Sequence, residues 1–207
     1  MKNQLIIIGA GGFAKSVVDS INFTTEEIVG FIDSYKQGEH LGIPILGASL
    51  NEIDDKDKYV YFISIGDPKA RLFWYNELEK RNLQQINIID PTAIVSRTVE
   101  LGTGIYIGKM CIVNSGTVIH DGAVLNTRTL IEHGNQIGFC ANISTNVVLN
   151  GDVQVGKCTF VGSCTVVNGQ LNIGNESIVG SGSVVIRDIP NNVVVAGSPT
   201  RLIRDID

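Results

Sequence analysis

LNTRTLIEHGNQIGFCANISTNVVL, residues 125–149, carries an aliphatic residue at every sixth place: Leu125, Ile131, Ile137, Ile143 and Leu149. Extended both ways, the same step runs without a slip through sixteen positions from Val95 to Val185, all of them Ile, Leu or Val. A helix returns a side chain to one face every ~3.6 residues and a strand every second residue. A fixed step of six is neither; it is the period of a parallel β-helix, in which short strands alternate with tight turns.

The residue after each aliphatic, from Ser96 to Gly180, is Gly in seven of fifteen cases and Asn in four. That bias predicts left-handed backbone at this place in each turn. The exceptions are Ser96, His120, Glu132 and Ser144, and a break in a local rule marks function or strain. Glu132 stands directly before His133.

Ahead of the repeat the pattern changes. Gln4–Ile8 reads as a strand that ends in Gly9-Ala10-Gly11-Gly12, followed by a helix over Phe13–Ile21. A second strand over Glu27–Ile32 ends at Asp33, and a third over Tyr59–Ile65 ends at Gly66. Asp67-Pro68 is a helix start, with Ala70, Phe73, Trp74 and Leu78 as its apolar face. Ile86–Ile89 reads as a fourth strand. Alternating strands and helices predict a small Rossmann-like parallel sheet with ligands at the carboxyl ends of its strands. The expected fold class is thus α/β plus β-solenoid, with domains at 1–90 and 91–207. Val193–Arg204 reads as an extended exit segment and a short helix. Gly9-x-Gly11-x-x-Ala14 with Asp33 further on matches a dinucleotide fingerprint, but four strands are too few for the usual cofactor sheet, and NAD is not expected.

The net charge of −5 argues against nucleic acid or an anionic membrane as partner. The start of the chain has only four consecutive aliphatics, Leu5–Ile8, and fits neither a signal peptide nor a membrane span, so a cytoplasmic protein is expected. Cys111, Cys140, Cys158 and Cys164 lack the spacing of a zinc site; no metal is expected. Cys140 and Cys158, eighteen apart, stack if a coil holds three hexapeptides, and free thiols are expected.

With Gly9–Ala14 in front, Ile131-Glu132-His133 in the middle and Val195-Ala196-Gly197-Ser198-Pro199 behind, nearly the whole chain resembles the two-domain left-handed β-helix sugar O- and N-acyltransferases. Within that family, residues 126–135 and 143–150 are most similar to the bacterial sialic acid O-acetyltransferases. The resemblance implies a left-handed coil, acetyl-CoA as cosubstrate lying between the subunits of a homotrimer, and intersubunit active sites. It maps the catalytic histidine onto His133 and the family's second histidine, near the thioester, onto Asn142. It sets the pantetheine against Gly162-Ser163 and Gly180-Ser181. The acceptor sugar falls to the glycine turn, Gly11, Gly12 and Phe13, to Asp33 and Ser34, and to Gly66.

Attack of a sugar hydroxyl on a thioester needs a base that works near neutral pH, and histidine suits this. Glu132 either orients the imidazole or caps a turn. Gly151, eighteen residues after His133, is read as leaving room for the thioester. An anionic acceptor wants a cation, for which Lys15, Lys36 and Arg128 are candidates, and Arg187, Arg201 or Arg204 suit the coenzyme phosphates. His40 and His120 read as exposed turn residues. The expected activity is direct acetyl transfer from acetyl-CoA to a hydroxyl of sialic acid or a close nonulosonic sugar. The alternatives are N-acetylation of a UDP-linked 4-amino sugar and a non-catalytic sugar-binding protein of a capsule or sialic acid pathway. Relatives that acetylate amines commonly carry Glu after the catalytic histidine; this chain has Gly134.

Overall fold

The computed structural model describes residues 2–206. Its amino-terminal part contains β1 (Asn3–Ile8), α1 (Gly12–Asp19), β2 (Glu26–Ile32), β3 (Glu39–His40), β4 (Ile43–Gly47), β5 (Val60–Ile63) and α2 (Pro68–Glu79). The sheet order is β3-β4-β2-β1-β5, parallel except for the β3–β4 hairpin. The interior strand β1 buries both faces, as a parallel sheet requires. Leu5 and Ile7 pack with Val17 of α1 and with Tyr106 and Val124 of the coil, whereas Ile6 and Ile8 pack with Tyr75 and Leu78 of α2. The small sheet is therefore clamped onto the coil through its own core.

Two-residue strands then stack into three parallel sheets of a β-helix, and each rung pairs with the rung eighteen residues on, as Leu130–Ile131 does with Val148–Leu149. Of the sixteen ladder residues, the fourteen from Ile107 to Val185 are buried and form one core; Val95 and Leu101 are half-buried.

Four expectations are corrected. The Ile86–Ile89 strand does not join the small sheet: Gln85 makes a single bridge to Tyr61, and Ile88–Ile89 already pairs with Tyr106–Ile107 as the first rung of the coil. The Asn87 side chain secures that crossing, donating to Gly102 O at 2.8 Å and accepting from Ile105 N at 2.9 Å. The exit segment contains no helix; Arg201–Asp205 is a strand antiparallel to Val193–Ala196, covering what would otherwise be an open sheet edge.

Left-handed backbone is not at the Gly/Asn column but two residues later, at every sixth residue from Gly104 to Gly182, where Met110, Arg128, Cys140 and others adopt φ of 53° to 64°. The glycine column answers to sterics between coils. A Cβ on Gly156 would lie 2.6 Å from Asn175 N, and one on Gly162 2.6 Å from Ser181 N.

The apolar face of α2 is also different. Asp67 caps the helix, accepting from Ala70 N at 2.7 Å, but the buried stripe is Arg71, Tyr75 and Leu78, while Phe73 is 58% exposed. One helix has to cover both the sheet and a coil corner, which leaves Ala70, Phe73 and Trp74 to face a cleft.

Candidate active site

The carboxyl ends of β1, β2 and β5 open onto a cleft of about 750 Å³. Gly11, Gly12, Phe13, Asp33, Ser34 and Gly66 all line it, together with Tyr35, Phe73 and Trp74. A Cβ on Gly11, Gly12 or Gly66 would meet nothing within 4 Å, and none of the three has a positive φ. Neither packing nor backbone strain requires glycine at these places; what its absence of side chain provides is open space in the cleft. Gly9 is different: its φ of +96° and a Cβ contact of 2.8 Å with Ile65 both demand glycine.

Asp33 stitches two loops together. Oδ2 accepts from Ala10 N at 2.7 Å and Oδ1 from Tyr35 N at 2.9 Å and Lys36 N at 3.0 Å, while Lys36 Nζ donates to Ala10 O at 2.6 Å. Partial burial pushes the Asp33 carboxyl up, but these backbone hydrogen bonds and the Lys36 charge outweigh it and hold the group below the ordinary carboxylate range. His40 is half-buried rather than solvated, packed edge-on against Phe31 at 5.3 Å. Burial and the charges of Lys36 and Lys15 lower its pKa.

A second groove, about 340 Å³, runs where the small sheet meets the coil and is lined by Phe13, Ser16, Gly66, Asn142, Ser144 and Ser163 among others. Phe13 and Gly66 belong to both cavities. The fold thus brings two predicted acceptor residues beside two predicted coenzyme residues. Asn142 is buried and donates to Ser144 Oγ at 3.3 Å. Gly162 and Gly180 stack at the neighbouring corner, with Ser181 exposed. Arg187 and Arg201 line a third cavity of about 780 Å³ beneath the carboxyl-terminal hairpin.

His133 lines none of these cavities. It projects from the corner after Leu130–Ile131, its side chain 64% exposed. The imidazole itself fills the space above Gly151, where a Cβ would lie 2.5 Å from Cε1, so this column is occupied rather than empty. The acid beside the ring is Asp152, Oδ1 to Nδ1 4.0 Å, and not Glu132. Gly134 makes room for it, since a Cβ there would strike the Asp152 carboxylate. Glu132 contributes its carbonyl, accepting from Thr117 Oγ1 at 3.2 Å and from Asn135 Nδ2.

Sequence reasoning missed Asp152, Arg71 and the cleft aromatics Tyr35, Phe73 and Trp74. Asp152 was within reach of the eighteen-residue rule, being one coil above Gly134. Cys140 and Cys158 are free thiols, and burial pushes Cys140 up to about 12. Among the described residues no cluster is arranged to hold a metal ion, and no helix is long and apolar enough to cross a membrane.

Residues 4–78 match the model of the PglD N-terminal domain. The whole fold is similar to a histidine-to-asparagine mutant of perosamine N-acetyltransferase from Caulobacter crescentus, solved with CoA and GDP-perosamine: 30% identity, TM-score 0.94, with 98% of each chain covered. It is likewise similar to the acetyltransferase domain of PglB from Neisseria gonorrhoeae in complex with acetyl coenzyme A, at 26% identity and TM-score 0.93 over 98% of this chain and 100% of that one. An uncharacterized protein of Acanthamoeba polyphaga mimivirus is 31% identical over 105 residues, a match that spans 49% of this chain and 20% of that protein. The chain belongs to the two-domain hexapeptide-repeat sugar acyltransferases.

Proposed function

We propose that the protein transfers the acetyl group of acetyl-CoA to the amino group of a nucleotide-linked sugar. The observation that carries this reading is the end-to-end likeness to perosamine N-acetyltransferase holding CoA and a GDP-linked amino sugar. It moves the acceptor from the sialic acid hydroxyl suggested by residues 126–135 and 143–150 to an amine.

In this reading residues 1–90 bind the acceptor and residues 91–207 perform the transfer. The α1 amino terminus has no side-chain cap and no acid in its first turn, and with Gly11 and Gly12 leaving the cleft open it suits a diphosphate. The sugar extends past Phe13 and Gly66 into the groove of Asn142 and Ser163, where the thioester arrives with its pantetheine along Gly162-Ser163 and Gly180-Ser181. Arg187, Arg201 or Arg204 takes the coenzyme phosphates.

The neutral amine attacks the thioester carbonyl carbon and His133 takes the proton released from nitrogen. The tetrahedral oxyanion then collapses, the C–S bond breaks, and the CoA thiolate leaves, to be protonated from the imidazolium or from solvent. Asp152 faces the ring's Nδ1 edge at 4.0 Å, which leaves Nε2 as the base. Because His133 lines neither the cleft nor the groove of its own chain, a second copy supplies it. The outward residues of the six-stranded coil face, Ile94, Ile112, Leu130, Val148, Val166 and Val184, are all aliphatic, which supports a homotrimer packed on that face.

Gly134 and Asn142 favour a second reading, O-acetylation of sialic acid, since both depart from the amine-acetylating pattern. Thiol release from acetyl-CoA, followed with GDP- and UDP-linked 4-amino sugars, CMP-sialic acid and free sialic acid, decides between them. Turnover confined to a sialic acid overturns the N-acetylation reading, and silence with every sugar overturns both.

A further inference from the structure

Arg71 has no solvent exposure, and among the described residues it forms no ion pair with a carboxylate. Burying a cation without a counter-charge is costly unless every donor is satisfied. Here five carbonyls do so. Nη1 donates to Ile65 O at 2.7 Å and Gly66 O at 3.2 Å, Nε to Gly122 O at 2.7 Å, and Nη2 to Cys140 O at 2.9 Å and Ala141 O at 3.3 Å.

These acceptors fall into two groups. Ile65 and Gly66 form the turn after β5, and Gly66 lines both the acceptor cleft and the coil groove. Gly122 and Cys140-Ala141 are corners of successive coils, and the strands that follow them carry Val124 and Asn142, which line the opposite wall of the groove. A guanidinium presents its donors in a rigid planar fork, whereas an ammonium is a point charge on a flexible stem. The residue therefore spans two walls with one inflexible group.

We infer that Arg71 is a positioning residue: it pins the Ile65–Gly66 turn to the Gly122 and Cys140-Ala141 corners and so holds the groove in which acceptor and thioester meet at one width. The inference rests on the proposed acetyl transfer, and it predicts a particular kinetic pattern. Misplacement by about 1 Å costs about a hundredfold in rate when reacting groups must be aligned. Of the proposed coenzyme contacts, Asn142 adjoins the pinned Ala141, whereas Gly162-Ser163 and Gly180-Ser181 lie one and two coils further on.

The test uses the full chain with Arg71→Lys and Arg71→Gln, beside Tyr75→Phe as a control. Tyr75 also ties α2 to the coil, donating to Asp121 Oδ2 at 3.0 Å, and lines neither cavity; its ring, which packs beside the Gly122 corner, is kept in the variant. Trp74, the single tryptophan, lies in the acceptor cleft and reports acceptor binding without turnover. The expected result is a fall in kcat of about tenfold or more in the Arg71 variants, weaker acceptor binding by Trp74 fluorescence, and a KM for acetyl-CoA within about twofold of the native value. Guanidinium ion added to Arg71→Ala restores part of the rate. Tyr75→Phe lowers the melting temperature without that pattern. A folded Arg71→Lys or Arg71→Gln protein with native kcat and acceptor affinity overturns the inference, as does an equal kinetic loss in Tyr75→Phe.

Native-state hydrogen exchange decides the matter even if the variants do not fold. Residues 64–67 and 139–142 of the native protein should open together as denaturant rises, and separate opening overturns the pin. Failure of the acetyl-transfer reading is distinguishable, because it shows in the native protein as no turnover with any acceptor.

Discussion

The coil and the small sheet use the same residue for opposite reasons. Gly156 is glycine because the next coil's backbone stands 2.6 Å from where a Cβ would be; Gly11 would offer its Cβ nothing within 4 Å. The coil is a repeated steric rule, copied every eighteen residues, in which any one position is explained by the position above it. The sheet domain uses each residue once; Gly9 and Gly30 there are again steric, but Gly11, Gly12 and Gly66 border open space in the cleft. Gly156 in the repeat is therefore fixed by packing, while Gly11 in the turn is not.

The largest effect expected on the function side is at His133. His133→Ala should lower turnover by about 10²- to 10⁴-fold while leaving the melting temperature unchanged, because the ring is mostly exposed and general-base catalysis contributes on that scale. Native turnover in that variant would remove the base from the mechanism.

The glycine contrast is tested directly by a pair of substitutions. Gly156→Ala forces a methyl into backbone and should destabilise by about 1–3 kcal/mol in urea unfolding. Gly11→Ala should unfold with the native midpoint yet raise the acceptor KM several-fold, about 1 kcal/mol of binding. If Gly11→Ala destabilises and Gly156→Ala does not, the two regions have been read the wrong way round.

A smaller effect belongs to Asp67, whose cap on α2 should cost about 1 kcal/mol when replaced by alanine. The urea midpoint of Asp67→Ala is the check.

The smallest effect is conditional on pH. Asp90 is 3% exposed at the joint of the two regions, accepting from Ser20 Oγ at 2.7 Å and from Thr92 N at 2.9 Å and Thr92 Oγ1 at 2.6 Å. Burial raises its pKa, but those hydrogen bonds and Lys109 lower it further, so the folded value lies below the ordinary one. As pH falls the unfolded chain takes up the proton first. The Asp90 contribution is therefore complete above about pH 4 and is lost as the pH drops through the folded value. Urea midpoints of the native protein should fall over that range, and Asp90→Asn should flatten the fall.

How much of this could be read beforehand follows the same division. Periodicity is a local property, so the ladder was legible from spacing; three rungs per coil came with the resemblance and put Gly151 over His133, but not the ring that fills the space between them. That ligands gather at the strand ends followed from the parallel sheet, whereas the six residues that line the cleft were assigned by the resemblance. The left-handed positions were misplaced by two residues, since composition registers that Cβ is unwelcome without saying whether torsion or the neighbouring coil forbids it. The Ile86–Ile89 strand was assigned to the wrong sheet and the carboxyl-terminal strand to a helix, because partner choice depends on which edge is free.

What the sequence by itself determined is the repeat, the parallel strands ahead of it and the chemistry available at His133, all set by residue type at fixed spacing. Only the tertiary structure decided that Asp152 and not Glu132 stands beside the imidazole. Only it showed that Phe13 and Gly66 are shared between two cavities, and that a buried Arg71 joins their walls. The first is a contact between successive coils; the other two join residues remote in the chain and exist only once the small sheet has been clamped onto the coil.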